Sequence, residues 1–423
     1  MPIFLPKYAA CATYRFRAPA ISGRLRRTLL CRSLSLLAGA LCATPALAAL
    51  SDTLHPFVSA SYSYDDNLLR LPDDGAALAG PRSDTIRQLQ AGVLLERPIG
   101  RQILSGQAKF SRVSFERFQR FDYSGKDLLA ALEWHVGNHV DGHIGSSYAQ
   151  TLAPFTDFFS NERNLRLRRH DYVDGGWRLH PSWRVSAGAG RDKINYDLAQ
   201  LRFNNRIENS KELGVDYLAA SGSIAGLRLR RFTTDYRYHR TLGSFVLDDD
   251  FAQDEVKANV DWLFSGITRI RFLGGWVRRR HDASTLRDAS GKNGRLIVDW
   301  APLGKLRFTA TGWREFAAVE STIVNSSLNN GASLGADWDA SAKLRLNALL
   351  KREKRDFNAA GDIVLPAAVS DTTRSASLGL VYAPQKLVQL GLNVFRDRRS
   401  GSPLIGTGSY RASGASLSVS AQF

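Results

Sequence analysis

An acidic residue followed by an aromatic one recurs along this chain at a nearly fixed step. No other feature restricts the fold as much. The pairs are Glu133-Trp134, Asp216-Tyr217, Asp261-Trp262, Asp299-Trp300 and Asp337-Trp338, and Trp177 and Tyr382 fill the same slot without the acid. The steps between these aromatics are 43, 40, 45, 38, 38 and 44 residues. A period of this length marks a repeat architecture or an array of hairpins. A short turn and then a frequently basic strand follow each aromatic, as in Leu303-Gly304-Lys305-Leu306-Arg307.

The segments between the turns alternate with period 2, the spacing of a strand with one apolar face. Leu344, Leu346, Ala348 and Leu350 share one face, and Lys343, Arg345 and Asn347 the other. Val388, Leu390, Leu392 and Val394 alternate with Gln389, Gly391 and Asn393 in the same way. No stretch beyond residue 51 is apolar enough for a helical membrane span. Short turns are expected near Pro98, Gly137, Pro181, Gly222, Gly266, Gly304, Ser341 and Pro384. They alternate with longer polar connections at 67–83, 119–124, 152–164, 198–207, 243–251, 282–291, 320–328, 358–370 and 399–408. Short turns at one end and long loops at the other are the signature of an outer-membrane barrel. Eight turns and nine loops predict an all-β, transmembrane, outer-membrane antiparallel β-barrel of about 18 strands, with 16 as the alternative. The last strand alternates Leu417, Val419, Ala421 and Phe423 with Ser416, Ser418, Ser420 and Gln422. A terminal strand of this kind, ending on Phe423, is the signal expected by the bacterial barrel-assembly machinery.

The first 48 residues read as a signal peptide. Seven Lys and Arg residues without an acid precede an uncharged, Leu- and Ala-rich stretch that ends in Ala46-Leu47-Ala48. Residues 49–423 then form a single barrel. All three cysteines, Cys11, Cys31 and Cys42, fall within the leader, so the mature chain has no disulfide chemistry. The formal net charge is +17, but without the leader 50 basic residues face 40 acidic ones. A basic chain suggests nucleic acid, but an export signal argues against that partner.

The alternation places the periodic aromatics on the outer face just before each turn, as an interfacial girdle. The neighbouring acids then point into the lumen. Counting across each turn pairs Asp299 with Arg307, Asp337 with Arg345, Asp339 with Lys343, Asp261 with Arg271 and Asp216 with Arg228. Such cross-strand pairs contribute about 0.2–1 kcal/mol each. Arg184, Arg230, Arg269 and Lys305 are left without partners on this reading. With Arg228, Arg271, Arg307, Lys343 and Arg345 they form a set of lumen bases that would favour an anionic solute. Trp313, if it faces inward, offers a stacking surface.

One hairpin departs from the pattern. Glu133, His135, His139, Asp141 and His143 share a parity across the turn at Gly137, so His135 would face His139 and Glu133 would face Asp141. This set could bind a transition metal weakly or act as a pH-sensitive rim. No metal and no cofactor is assigned, because no defined ligand geometry emerges. No nucleophile elbow, P-loop or zinc-protease signature is present, so an enzyme is not expected.

The most distinctive local stretch is Tyr64-Asp65-Asp66-Asn67-Leu68-Leu69-Arg70-Leu71, at the end of the first strand. Asp65, Asp66 and Asn67 could form an Asx-type turn. An opening strand followed by this motif resembles the outer-membrane proteins of exopolysaccharide biosynthesis, and in particular the EpsL-type proteins associated with exosortase B. The specific residues are Tyr64, Asp65, Asp66, Asn67 and Arg70. The resemblance implies export of a secreted polysaccharide through the outer membrane, with the bilayer and periplasmic polysaccharide-export proteins as partners, and the lumen bases would favour an anionic polymer. A general porin or small-solute channel shares every barrel feature. A closed structural or adhesive barrel is the remaining alternative.

Overall fold

The computed structural model describes residues 53–73, 81–156, 161–242, 245–282, 288–319, 324–359, 369–402 and 408–423. The signal peptide expected at 1–48 lies outside these residues. The first half contributes β1 (Leu54–Asp65), β2 (Asp84–Ile99), β3 (Gln102–Phe115), β4 (Tyr123–Val136), β5 (Val140–Leu152), β6 (Leu165–His180), β7 (Trp183–Tyr196), β8 (Arg206–Leu218) and β9 (Ile224–Tyr236). A small hairpin, β10 (Arg240–Leu242) and β11 (Phe245–Leu247), follows. The second half is β12 (Phe251–Ser265), β13 (Thr268–His281), β14 (Ala289–Leu303), β15 (Leu306–Ala318), β16 (Val324–Ser341), β17 (Leu344–Ala359), β18 (Ser370–Gln385), β19 (Val388–Ser400) and β20 (Tyr410–Gln422).

Apart from β10 and β11, these strands form one 18-stranded sheet in which each pairs antiparallel with its sequence neighbour. β9 pairs with β12, and β1 pairs with β20 from Phe57↔Gln422 to Asp65↔Gly414. The sheet is therefore a closed barrel, which leaves no unpaired edge. The Phe423 amide donates to the Pro56 carbonyl at 2.8 Å and completes the seam. Gly100, Gly137 and Gly222 hold φ of 61°, 59° and 82° at three of the short turns, a region that side chains disfavour.

Period-2 alternation decides what each face shows. Large apolar side chains such as Leu89, Phe110, Leu213 and Leu229 are exposed on the outside and form a band around the barrel. A contiguous apolar exterior of this kind is solvated by lipid rather than water. The described residues hold no helix long and apolar enough to cross a membrane. In this fold the strands provide the crossing. Near the short turns the band ends in the expected girdle: Trp177, Trp183, Tyr217, Trp262, Trp300, Trp338 and Tyr382 are all exposed on the outer face. Trp300 stacks on Phe308 across the hairpin, at 5.4 Å between centroids and 25° between planes.

The buried apolar clusters lie at the opposite end, under the long loops. Leu69 and Leu71 of the first loop pack against Val113, Phe115, Phe118 and Phe121. Leu198 and Leu201 pack against Ile194 and Tyr196. Val319, Val324, Phe357 and Val369 form a third cluster.

Candidate functional site

The register fixes which side chains line the lumen. The faces expected from alternation hold, but of the five partners expected across the short turns only Arg228 binds its acid, Asp216, and only Arg271 lies directly opposite its acid, Asp261. Asp299 faces Thr309 rather than Arg307, and Asp337 faces Asn347 rather than Arg345. Asp339 faces and binds Arg345, at 2.5 Å, in place of Lys343. The reason is local: β12–β13, β14–β15, β16–β17 and β18–β19 each carry an irregularity beside the turn. Such a bulge shifts the pairing while preserving which face a residue occupies.

The acids find their bases by another route. Asp261 is directly opposite Arg271, yet it takes a bidentate pair from Arg269 at 2.7 and 2.5 Å. Arg271 turns to the next strand and binds Asp299 at 2.6 Å. Arg228 reaches back to both oxygens of Asp216, at 2.8 and 2.6 Å, although its opposite residue is Gly214. Arg184 binds Asp141 at 2.5 Å, and Arg230 lies 3.9 Å from Glu255. Arg184, Arg230 and Arg269, read from the sequence as unpaired, are therefore paired. Arg307 lies opposite Asp337 on β16, while Lys305 and Lys343 fall in the turns. Of the nine expected lumen bases, Arg184, Arg228, Arg230, Arg269, Arg271 and Arg345 are neutralised in pairs, while Arg307, Lys305 and Lys343 form no ion pair among the described residues.

A denser network lies toward the long-loop end of β12 and β13. Lys257 binds Glu255 at 2.6 Å, Gln253 donates to Glu255 at 2.5 Å, and Arg279 donates to Gln253 at 2.9 Å. Glu255, Gln253 and Arg279 are all buried. Pairing only across each short turn misses these residues, since the network spans the long-loop side. The available signal was the parity of Gln253, Glu255 and Lys257 within one strand. The far wall differs in character. On β18–β20 and β1–β3 the inward positions carry Ser377, Asn393, Ser416, Ser418, Ser59 and Gln90, with Ser59 donating to Gln90 at 3.0 Å. The lumen thus has a densely charged, largely paired wall and a wall richer in hydroxyls and amides, which still carries charges such as Lys109, paired with Asp127 at 2.6 Å.

Trp313 faces inward from β15, flanked by Arg295 at 5.5 Å and Lys351 at 5.4 Å from its ring. The ring lies against Gly331, where a Cβ would come within 2.2 Å of it. One face of the indole is therefore committed to the wall.

The histidine hairpin is also rearranged. Glu133 faces His143 and His135 faces Asp141, while His139 occupies the turn. His143 bonds Asp174 at 2.9 Å on β6, and His135 lies 3.7 Å from Glu133. Among the described residues no group of three or more potential ligands could hold a metal ion.

At the long-loop end the motif beginning at Tyr64 forms a clasp. Asp65 accepts from the Asn67 amide at 2.9 Å, which is the expected Asx turn. Asp65 also receives Arg70 at 2.8 Å, and Arg70 holds φ of 56°. The buried Asn67 side chain donates to the Leu71 and Arg411 carbonyls at 2.9 Å each and accepts from the Leu71 amide at 2.8 Å. Asp66 accepts from the Ser413 amide at 2.7 Å. Tyr64 remains exposed on the outer face. These contacts tie the first loop to β20 at the barrel seam.

A second loop reaches further. Phe155, after β5, packs on Phe121 at 5.0 Å between centroids. The next residue, Thr156, accepts through its carbonyl from Arg399 of β19 at 2.5 Å. Arg399 is buried and lies 3.9 Å from Asp371, which also takes a bidentate pair from Arg355 at 3.0 and 2.5 Å. The connection after β5 is thus anchored to a strand six places away around the sheet, and it runs across part of the mouth.

A closed 18-stranded antiparallel barrel with an apolar exterior band and a polar interior is a porin-like β-barrel. In agreement, the family model described as "Putative beta-barrel porin 2" matches residues 234–423. OccK9 (OpdG) of Pseudomonas aeruginosa superposes with a TM-score of 0.50 at 10% identity, covering 88% of this chain and 98% of that one. The outer membrane protein opdK of the same organism gives 0.47 at 10% identity, over 88% and 100% of the two chains. OccAB3 of Acinetobacter baumannii gives 0.47 at 9% identity, again over 88% and 100%. At these identities the likeness is one of fold. No curated protein matches the chain.

Proposed function

We propose that the protein is an outer-membrane channel through which small polar solutes diffuse. The observation that carries this reading is the strap after β5, held across part of the mouth by the Thr156–Arg399 contact. A polymer conduit needs an uninterrupted passage, whereas a narrowed mouth suits small molecules. The paired charges on one wall and the hydroxyls and amides on the other suit neutral or zwitterionic solutes, which exchange water for weak contacts on both sides. The lumen field is reduced because most of its bases are neutralised locally, so strong anion selection is not part of this reading. Proteoliposome swelling with neutral sugars of increasing size tests it. Rapid swelling with monosaccharides and little with oligosaccharides is expected, and no swelling with any sugar would overturn it.

Export of an exopolysaccharide is the second reading. It is favoured by the EpsL-type resemblance of Tyr64–Leu71 and by the wall rich in hydroxyl and amide groups, which can substitute for sugar hydration. Loss of extracellular polymer on gene deletion, restored by the gene, would support it over the first. In either case residues 1–48 act as a removable signal peptide, 49–423 form the mature barrel, and the β20 strand ending in Phe423 is read by the barrel-assembly machinery. Amino-terminal sequencing of the mature protein tests the cleavage.

A further inference from the structure

The surplus positive charge of the mature chain lies on the outer face, at the long-loop end of the apolar band. Its densest part is a row on four consecutive strands. Arg352 on β17 lies opposite Arg374 on β18, Arg374 opposite Arg398 on β19, and Arg398 opposite Arg411 on β20. All four are exposed on the lipid-facing parity, and Arg396 lies one step below on the same face. Only Arg411 has a carboxylate, Asp73 at 3.3 Å. Among the described residues, Arg352, Arg374 and Arg398 form no ion pair, and the nearby Asp356 is committed to Lys354 at 2.8 Å.

Like charges directly opposite one another on neighbouring strands are unfavourable. Four in succession need an anionic partner. Adjacent strands are about 4.8 Å apart, so the row is about 14 Å long. Its depth points to the partner. Arg374 is eight residues along β18 from the girdle residue Tyr382. That is about 27 Å along the strand, or roughly 20 Å along the membrane normal for a strand tilted near 40°. The row therefore lies at the opposite interface from the girdle, where lipid phosphates are found. Leu350, Leu378, Val394 and Leu417 form the apolar surface beneath it, against which acyl chains would pack.

We propose that Arg352, Arg374, Arg398 and Arg411 form a binding site for the phosphorylated headgroup of an outer-leaflet glycolipid. Guanidinium groups suit this role because they bind phosphate oxygens in bidentate fashion. The site rests on the outer-membrane reading, since only that membrane's long-loop side presents such a lipid.

The test uses the full folded barrel in zwitterionic detergent, with bisphosphorylated lipid A, monophosphorylated lipid A and inorganic phosphate as probes. Wild type is expected to bind the bisphosphorylated lipid best and inorganic phosphate weakly. Each basic group near an anionic surface changes affinity by about fivefold, so Arg352→Ser/Arg374→Ser/Arg398→Ser/Arg411→Ser should bind at least roughly a hundredfold more weakly at low salt. The double variant Arg374→Ser/Arg398→Ser should show an intermediate loss and serves if the quadruple variant fails to fold. Arg112→Ser/Lys126→Ser removes outer-face charge elsewhere and should bind as wild type does. Undiminished binding by the row variants, an equal loss in the control, or inorganic phosphate competing as well as lipid A would overturn the proposal. Conductance measured on the same samples reports on the channel separately and is expected to be unchanged.

Discussion

Single residues at the long-loop end carry disproportionate weight, because there side chains of the first loop tie it to the seam strand β20. The Asn67 side chain makes three hydrogen bonds from a buried position and joins the first loop to β20. Asn67→Ala removes all three and leaves buried backbone groups without partners. A loss of about 2–3 kcal/mol in stability is expected, measured as a shift in the heat-induced unfolding of the folded band. The motif that suggested a family is, in the structure, a seam clasp, and most of its polar atoms are used in holding the chain ends together. In the lumen, Asp216→Ala leaves the largely buried Arg228 with only Glu212 at 3.5 Å. The expected cost is about 3 kcal/mol, because an uncompensated buried charge costs more than the pair itself contributes. Denaturant unfolding of the variant against Asp216→Asn checks that figure.

The hairpins show how far sequence patterning reaches. Strand number, turn positions and the outward girdle follow from alternation and from the 40-residue step, since a strand's faces are set by parity alone. Partner identity follows only in part, because bulges beside five of the short turns displace the pairing in a way no residue pattern announces. This is why Asp299 was expected opposite Arg307 and is found opposite Thr309. The histidine hairpin is displaced too: a turn two residues longer than counted moved Glu133 opposite His143 and separated the set into acid–base pairs. The absence of cysteine from the mature chain allows a direct check. Asp299→Cys with Thr309→Cys should form a disulfide in the folded barrel, and Asp299→Cys with Arg307→Cys should not, as judged by gel mobility under oxidising conditions.

For the molecule as a whole, the distribution of charge separates two roles. Inside, most bases and acids are neutralised pair by pair along one wall, and the other wall is richer in hydroxyls and amides. Outside, unpaired arginines collect at one edge of the apolar band. The excess of basic over acidic residues, visible in the composition, did not reveal which surface it occupied, because strand parity had to be combined with register to place it. The strap from the end of β5 to Arg399 was also invisible from the sequence, since it joins residues 243 apart that no local pattern relates. The strap lies over part of the mouth of the barrel. Planar-bilayer recording of the folded protein and of Arg399→Ala tests the central claim most directly. Wild type should give discrete, weakly ion-selective conductance steps, and Arg399→Ala should give larger ones as the strap is released. Folded protein that conducts no current, or a variant whose steps match the wild type, would contradict the account.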